Sequence, residues 1–472
     1  MGWIKSKVDE TFKVEGGSLK PKTFLSYGFA GLGQNLVYGI MSSYLTIFYT
    51  DIMGIAASVV GTMFLISKIW DAINDPVMGS FVDKTRTKYG KMRPYMLLTP
   101  IPIAIITILL FIRPNLSENG RIIYMYVTYI LWGMIYTVND VPYWSLSSVL
   151  TPNEQERTNL MSFTRVLTSV GLGVPTVIVS ALFFCKDHNI LSGSVAKSSY
   201  SVYLTAAVIC SVVGSGLIFL AFTGTKEVVK QSEQKPTFSE SLKFLFTNKP
   251  LMLILLCNLL AFPKNLIWTA QPYVAQYLLG SQQWVFILGI PYSIGTMISY
   301  AITPFLMKKF SGIKSYIIAM VYSLFPMGIL YFLGYNNIPL ILIFSFLNGL
   351  SGGVTGVVPS VLIADCVDYT EWKTGQRAEG VSFSVQTFMA KASAALQSFL
   401  GGYILKWIGY QANVPQTAQT KSGLWLMYTI LPVVLSFASI IPLLFYDLKG
   451  EKLDTIRSEL AERRKENSEK VS

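Results

Sequence analysis

The run SKIWDAINDPVMG sets Asp71 and Asp75 one helical turn apart in a segment otherwise apolar enough to cross a bilayer. Carboxylates are costly in hydrocarbon, and a pair of them on one helix face marks an ion or substrate path. Lys68 joins the same stripe, because positions i, i+3, i+4 and i+7 share a face. Asn74 lies beside it, and Pro76 loosens the backbone so that carbonyls can also coordinate an ion. Hard alkali cations take oxygen ligands, so two carboxylates, an amide oxygen and a hydroxyl suit Na⁺. The same pair suits a proton shared between close carboxyls. A structural salt bridge to Lys68 is the bland alternative, and it satisfies only one of the two aspartates.

A second stripe runs through YTVNDVPYWS, where Tyr136, Thr137, Asp140 and Trp144 fall at i, i+1, i+4 and i+8. A carboxylate accepts from vicinal hydroxyls while an indole plane stacks on an apolar ring face, which is the chemistry of sugar recognition. Trp144 alone would read as an interfacial anchor, and Asp140 at depth favours substrate contact. Arg165 and Lys391 are intramembrane cations with no carboxylate near them in sequence, suited to pairing with these aspartates or to donating to hydroxyls. Snorkelling, the bland reading for a cation near a span end, fits Lys264 and Lys406 better than it fits Lys391. His188, the one histidine, sits in a loop and carries no chemistry.

These residues need a membrane to hold them. The 472 residues are 52% hydrophobic and 14% charged, with a mean hydropathy of +0.47, far more apolar than a soluble domain. A spanning helix needs about 20 apolar residues, and twelve such runs are expected near 24–50, 58–82, 94–112, 121–150, 160–184, 200–223, 250–279, 283–309, 314–334, 338–364, 380–407 and 422–446. With the N-terminus inside, 28 of the 38 Lys and Arg fall on the cytoplasmic side, against Arg113, Arg121, Lys186, Lys197 and Lys421 outside. Both termini are therefore expected in the cytoplasm, in a multi-pass protein of the cell membrane. Topology and anionic lipid account for the net charge of +12 without nucleic acid. The four cysteines show no metal spacing, and no Ser/His or Cys/His constellation suggests an enzyme. The first 22 residues are polar and acid-bearing, unlike a cleaved signal peptide.

The charged stretch 224–249 divides the chain into an N-terminal lead and six-helix half (1–223) and a C-terminal six-helix half (250–446), followed by a tail (447–472). This is the layout of an all-α membrane protein with the major-facilitator fold, twelve transmembrane helices in two halves. After span 2 the loop GSFVDKTRTKYGKMRP places Gly79, Asp83, Lys84, Arg86, Gly90, Lys91 and Arg93 in the order of the major-facilitator loop signature. Asp83 in a basic run suggests a gate whose ion pairs form in one conformation and break in another. The glycine-rich GFAGLGQN and NGLSGGVTG follow no strand and read as helix crossings, not phosphate loops.

IWDAINDPVMG, the 79–94 loop, YTVNDVPYWSL and DCVDYTEWKTGQRAEG with SVQTFMAK together resemble the glycoside–pentoside–hexuronide:cation symporters, the melibiose-permease-like branch of the major facilitators. The resemblance covers nearly all twelve spans. It implies uptake of a glycoside, pentoside or hexuronide with Na⁺, Li⁺ or H⁺ by alternating access, with no other cofactor, by a monomer in membrane lipid. It puts the cation site on Asp71, Asp75, Asn74 and Thr137, and the sugar site on Gln34, Asn35, Tyr136, Asp140, Trp144, Arg165 and Lys391. The gate would comprise Gly79, Asp83, Arg86, Gly90 and Arg93 with Asp365, Asp368, Tyr369, Glu371, Arg377 and Glu379. Where the melibiose permease has a Lys-Asp pair for sugar this chain has Gln34-Asn35, and Gly356 stands for a sugar-facing tryptophan, so another glycoside, xyloside or uronide fits as well as melibiose. The rival readings are a cation-coupled lysolipid carrier and a non-transporting sugar sensor on the same fold.

Overall fold

The computed structural model describes residues 19–151, 154–190, 198–228, 248–374, 379–456, 458–460 and 462. Among them the chain is helical, with one isolated bridge, Thr87 to Gly90, and no strand. Without water in the bilayer core, helices that satisfy their own backbone are the natural outcome for such apolar runs. The helices are α1 (Pro21–Ile47), α2 (Ala57–Lys84), α3 (Arg93–Leu98), α4 (Pro100–Leu110), α5 (Glu118–Leu150), α6 (Glu154–Asp187) and α7 (Ser199–Gly224). After these come α8 (Lys249–Leu260), α9 (Leu266–Tyr277), α10 (Trp284–Phe310), α11 (Gly312–Leu333), α12 (Ile338–Thr374), α13 (Glu379–Trp407), α14 (Ala418–Tyr428), α15 (Ile430–Ser436) and α16 (Ile440–Leu444).

Each of the twelve expected spans finds a helical run, and three are interrupted. α3 and α4 meet at Thr99, α8 and α9 at a 3₁₀ turn over Phe262–Asn265, and the last run is cut into short pieces. Among the described residues, 7 spans are long and apolar enough to cross a membrane, and the pair Ala418–Tyr428 and Ile430–Leu444, bent by 49°, makes 8. Helix starts follow local chemistry. Ser117, Ser198, Asn248 and Thr417 each accept a backbone N–H of the first turn, and prolines open α1, α3, α4 and α8, where no N–H is needed.

Two compact units form: Met1–Glu233 with Gly280–Phe286 and Tyr410–Pro415, and Gln234–Leu279 with Ile287–Gly409 and Gln416–Ser472. In the first, Ser281 bonds to Asp187, and Tyr410 and Asn413 bond to Asp51. α1 packs along α6 and α7, and α2 along α5. The glycine-rich run of α1 is a crossing, as expected: a Cβ at Gly33 would strike the Gly214 carbonyl of α7, and one at Gly171 of α6 would strike the Leu32 carbonyl. In the second unit α11 packs on α12, α8 on α13 and α9 on α14, and Gly295 of α10 meets Gly349 of α12 backbone to backbone. Its core gathers Leu251, Ile254, Tyr316, Val358, Ile363 and Tyr446.

Candidate cation and sugar site

In the first unit, α2 presents the acidic stripe to α5. Lys68 Nζ donates to Asp71 Oδ2 at 2.7 Å, and Asp71 is 8% exposed. A Cβ at Gly133 of α5 would stand 3.0 Å from Asp71 Oδ1, so the absence of a side chain there lets α5 come up to the carboxylate. Asn74 Nδ2 is buried, with no hydrogen-bond partner among the described residues. Rotating that amide puts an oxygen in the same place, which suits a cation. Thr137 of α5 is buried as well. The salt bridge weighed from the sequence is therefore real for Asp71, while the Asp75 side chain lies outside the described residues.

One turn further along α5, Asp140 organises the sugar-type stripe. Its Oδ1 accepts from Gln34 Nε2 at 2.7 Å and from Trp144 Nε1 at 2.9 Å. The Arg165 guanidinium lies over the Trp144 ring, 4.8 Å from its centroid. Tyr136 stacks on Trp132 with centroids 4.7 Å apart and is flanked by Tyr38 of α1 at 5.8 Å. The cluster therefore offers a carboxylate, an amide and a guanidinium, with aromatic rings at Tyr136 and Trp144. Gln34 is 1% exposed and its Oε1 has no partner among the described residues, a further acceptor inside the cluster. Asn35 differs from its neighbour, for its Nδ2 donates back to Gly31 O of its own helix at 3.0 Å.

Side chains that no motif singled out hold this geometry. Tyr27 of α1 and Tyr143 of α5 stack at 4.7 Å and exchange bonds, Tyr27 Oη to Tyr143 O at 3.1 Å and Tyr143 Oη to Tyr27 O at 2.9 Å. That clamp fixes α1 against α5 beside Asp140, and Gln34, seven residues on from Tyr27, shares its face. Asn139 Nδ2 donates to Thr99 Oγ1 at 2.7 Å, and Trp132 Nε1 to Thr107 Oγ1 at 3.0 Å, tying the other side of α5 to α3 and α4. Sequence spacing shows the stripe but not these long-range partners.

The signature loop has a partner that sequence spacing did not reveal. Glu227, just after α7, accepts from three successive backbone N–H groups, Lys91 at 2.9 Å, Met92 at 2.8 Å and Arg93 at 3.1 Å. A carboxylate at a helix start complements the unpaired N–H groups and the dipole of α3. Gly90 has φ +108°, and a Cβ there would overlap the Glu227 carboxylate, so conformation and space both demand glycine. Arg93 reaches Phe222 O at 2.7 Å, and Arg86 turns to Thr85 O at 3.1 Å. Arg377, the surroundings of Gly79 and the side chains of Asp83 and Glu379 lie outside what is described. Asp365 is buried, Glu371 and Asp368 are half-buried, and all three lie at the end of α12.

In the second unit Lys391 is half-buried on α13. Lys406 is exposed in the last turn of the same helix, as a snorkelling lysine would be. Lys264 is not: it lies within the 3₁₀ break between α8 and α9 and donates to Thr355 Oγ1 of buried α12 surface at 2.5 Å. The snorkelling reading of Lys264 is corrected: 264 stands in the middle of the expected 250–279 run, and its ammonium turns inward to a hydroxyl of α12.

Residues 26–450 match the sequence model of the family described as MFS/sugar transport protein. The chain belongs to this family. Within it the chain is 32% identical to the isoprimeverose transporter of Lactiplantibacillus pentosus, over 91% of this chain and 88% of that one. It is 26% identical to the glucuronide carrier protein homolog of Escherichia coli (strain K12), over 96% and 98%. A point mutant of the nucleoside transporter NupG superposes with a TM-score of 0.65 at 12% identity, covering 89% of this chain and 99% of that chain, a likeness of fold alone. The family match and these relatives make the protein a multi-pass membrane transporter of the sugar-transport type and not an enzyme.

Proposed function

We propose that the protein takes up a glycoside, pentoside or hexuronide together with Na⁺ or H⁺ by alternating access, with both termini in the cytoplasm and the monomer as working unit. The observation that carries this reading is the Gln34–Asp140–Trp144 cluster under Arg165. A carboxylate held by donors beside an indole plane suits ring hydroxyls and a ring face together.

The cation site falls on Asp71, Asp75, Asn74 and Thr137, the sugar site on Gln34, Asn35, Tyr136, Asp140, Trp144 and Arg165, with Lys391 the sugar-facing cation that the resemblance implies in the second unit. A cation at the acidic pair relieves its charge and lets α2 close on α5. Both are rooted within a turn or two of one another on α5, since Thr137 and Asp140 are three residues apart. Coupling requires each ligand to raise the affinity of the other. The gate takes in Gly79, Asp83, Arg86, Gly90 and Arg93 with Asp365, Asp368, Glu371, Arg377 and Glu379.

The test is uptake into proteoliposomes across a glycoside panel in Na⁺, Li⁺ and K⁺ at two pH values. Accumulation of a glycoside driven by one of the cations, or by a proton gradient, is the expected result. Equilibration of sugar with no dependence on any gradient contradicts it.

A further inference from the structure

We infer that the second unit carries, where α11 ends and α14 begins, a binding site for the headgroup of an anionic phospholipid, with Lys421 as its cation. The site shares no residue with the sugar, cation or gate assignments above and does not rest on them.

α11 is one of the membrane-crossing helices and α14 opens the bent final span, so the meeting of their ends marks a membrane–water boundary. Gly334 ends α11 with φ +74°, a left-handed turn that glycine adopts without strain. The chain then brings Tyr335 edge-on to Trp425 of α14, with ring centroids 5.8 Å apart. Trp425 Nε1 in turn donates to Tyr331 O at 3.2 Å and ties the two helices together. Between them stands a cavity of about 520 Å³ that Tyr331, Tyr335, Gln416, Lys421, Ser422 and Trp425 help to line. Ligand pockets commonly measure about 300–1,000 Å³.

The charge of this cavity is one-sided. Lys421 is half-buried near the start of α14, the positive end of the helix dipole, and the first turn holds no acid to offset it. No acidic residue lines the cavity, and among the described residues the Lys421 ammonium has no ion pair. Ammonium, tyrosine hydroxyls and the Ser422 hydroxyl are donors that suit phosphate oxygens. A zwitterionic headgroup would bring a second cation up to Lys421, whereas an anionic one does not. The flank of the cavity decides for a lipid over a soluble anion. Phe332 lines it and is 85% exposed, and Ile318, Val321, Phe325 and Ile329 continue from it along one exposed face of α11. That stripe runs for about 21 Å along the helix. A headgroup in the cavity lays its acyl chain on the stripe, which a soluble anion leaves unused.

The experiment follows lipid adducts of the purified full-length protein by native mass spectrometry from a neutral detergent. The probes are dioleoylphosphatidylglycerol and dioleoylphosphatidylcholine, titrated separately. The wild type should bind its first phosphatidylglycerol about fivefold more tightly than phosphatidylcholine, the effect of one lysine beside an anionic lipid. Lys421→Gln should bring the two lipids to the same affinity with the phosphatidylcholine value unchanged, and Lys421→Arg should keep the preference. Lys406→Gln, at an exposed lysine of α13, should leave it intact. Equal affinity for the two lipids in the wild type overturns the inference. So does a preference that survives Lys421→Gln, an equal loss of both lipids in that variant, or a preference that Lys406→Gln also abolishes. Displacement of the lipid by an equal concentration of soluble glycerol 3-phosphate overturns it as well, for the cavity would then take a free anion.

Discussion

Trp144 donates its indole N–H to Asp140 Oδ1 at 2.9 Å from one turn along the same helix, so the aromatic plane and the acceptor are held as one unit. Asp140→Asn keeps the shape and removes the charge. Hydrogen bonds to charged groups contribute about 1.5–3 kcal/mol, so glycoside affinity should fall about 10–100-fold by calorimetry. The folded state should be retained, which thermal unfolding of the same sample checks.

Trp144 separates stacking from hydrogen bonding. Trp144→Phe retains a ring under Arg165 and loses the donor to Asp140, whereas Trp144→Ala removes both. The alanine variant should lose the larger part of sugar binding, and equal losses in the two would mean that the ring face is not used.

The acidic stripe makes a prediction about stability. Removing one partner of a buried ion pair costs about 3–5 kcal/mol because the other charge is left alone. Asp71→Asn should therefore lower the unfolding temperature as well as the cation response, since Lys68 loses its 2.7 Å partner. Adding Lys68→Met should recover stability without recovering the cation response. Recovery of both would show that Asp71 serves only the salt bridge.

At the loop, Gly90→Ala places a side chain at φ +108° and against Glu227. The left-handed backbone alone costs about 1–2 kcal/mol for a residue with a Cβ, so this variant should be less stable and slower in uptake than Glu227→Gln, which keeps most of the contacts. Uptake rates and unfolding temperatures of the two variants decide it.

Much of this architecture is legible in the sequence because the bilayer imposes it. Apolar runs of spanning length locate the helices, and the spacing of Asp71, Asp140 and Trp144 on helical faces puts them in stripes before any coordinates. Gln34 is different, for only its resemblance to a sugar-contacting position singled it out, and its bond to Asp140 crosses 106 residues. Glu227 was invisible for the same reason: its partners are backbone N–H groups some 135 residues away, and backbone groups leave no mark in a sequence. Lys264 stands mid-run in 250–279, and its bond to Thr355 crosses 91 residues, so no sequence spacing shows that its ammonium turns inward.

The central claim is that the cation at the Asp71 stripe and the sugar at Asp140 favour the same state of the protein. Titrating Na⁺, Li⁺ and H⁺ into the purified protein with and without a saturating glycoside tests it most directly. Coupling free energies of about 1–3 kcal/mol are typical of linked sites, so the sugar should raise the affinity for the coupling cation by about 5–150-fold, and Asp71→Asn should abolish the effect. Identical affinities for all three cations with and without sugar would contradict the account.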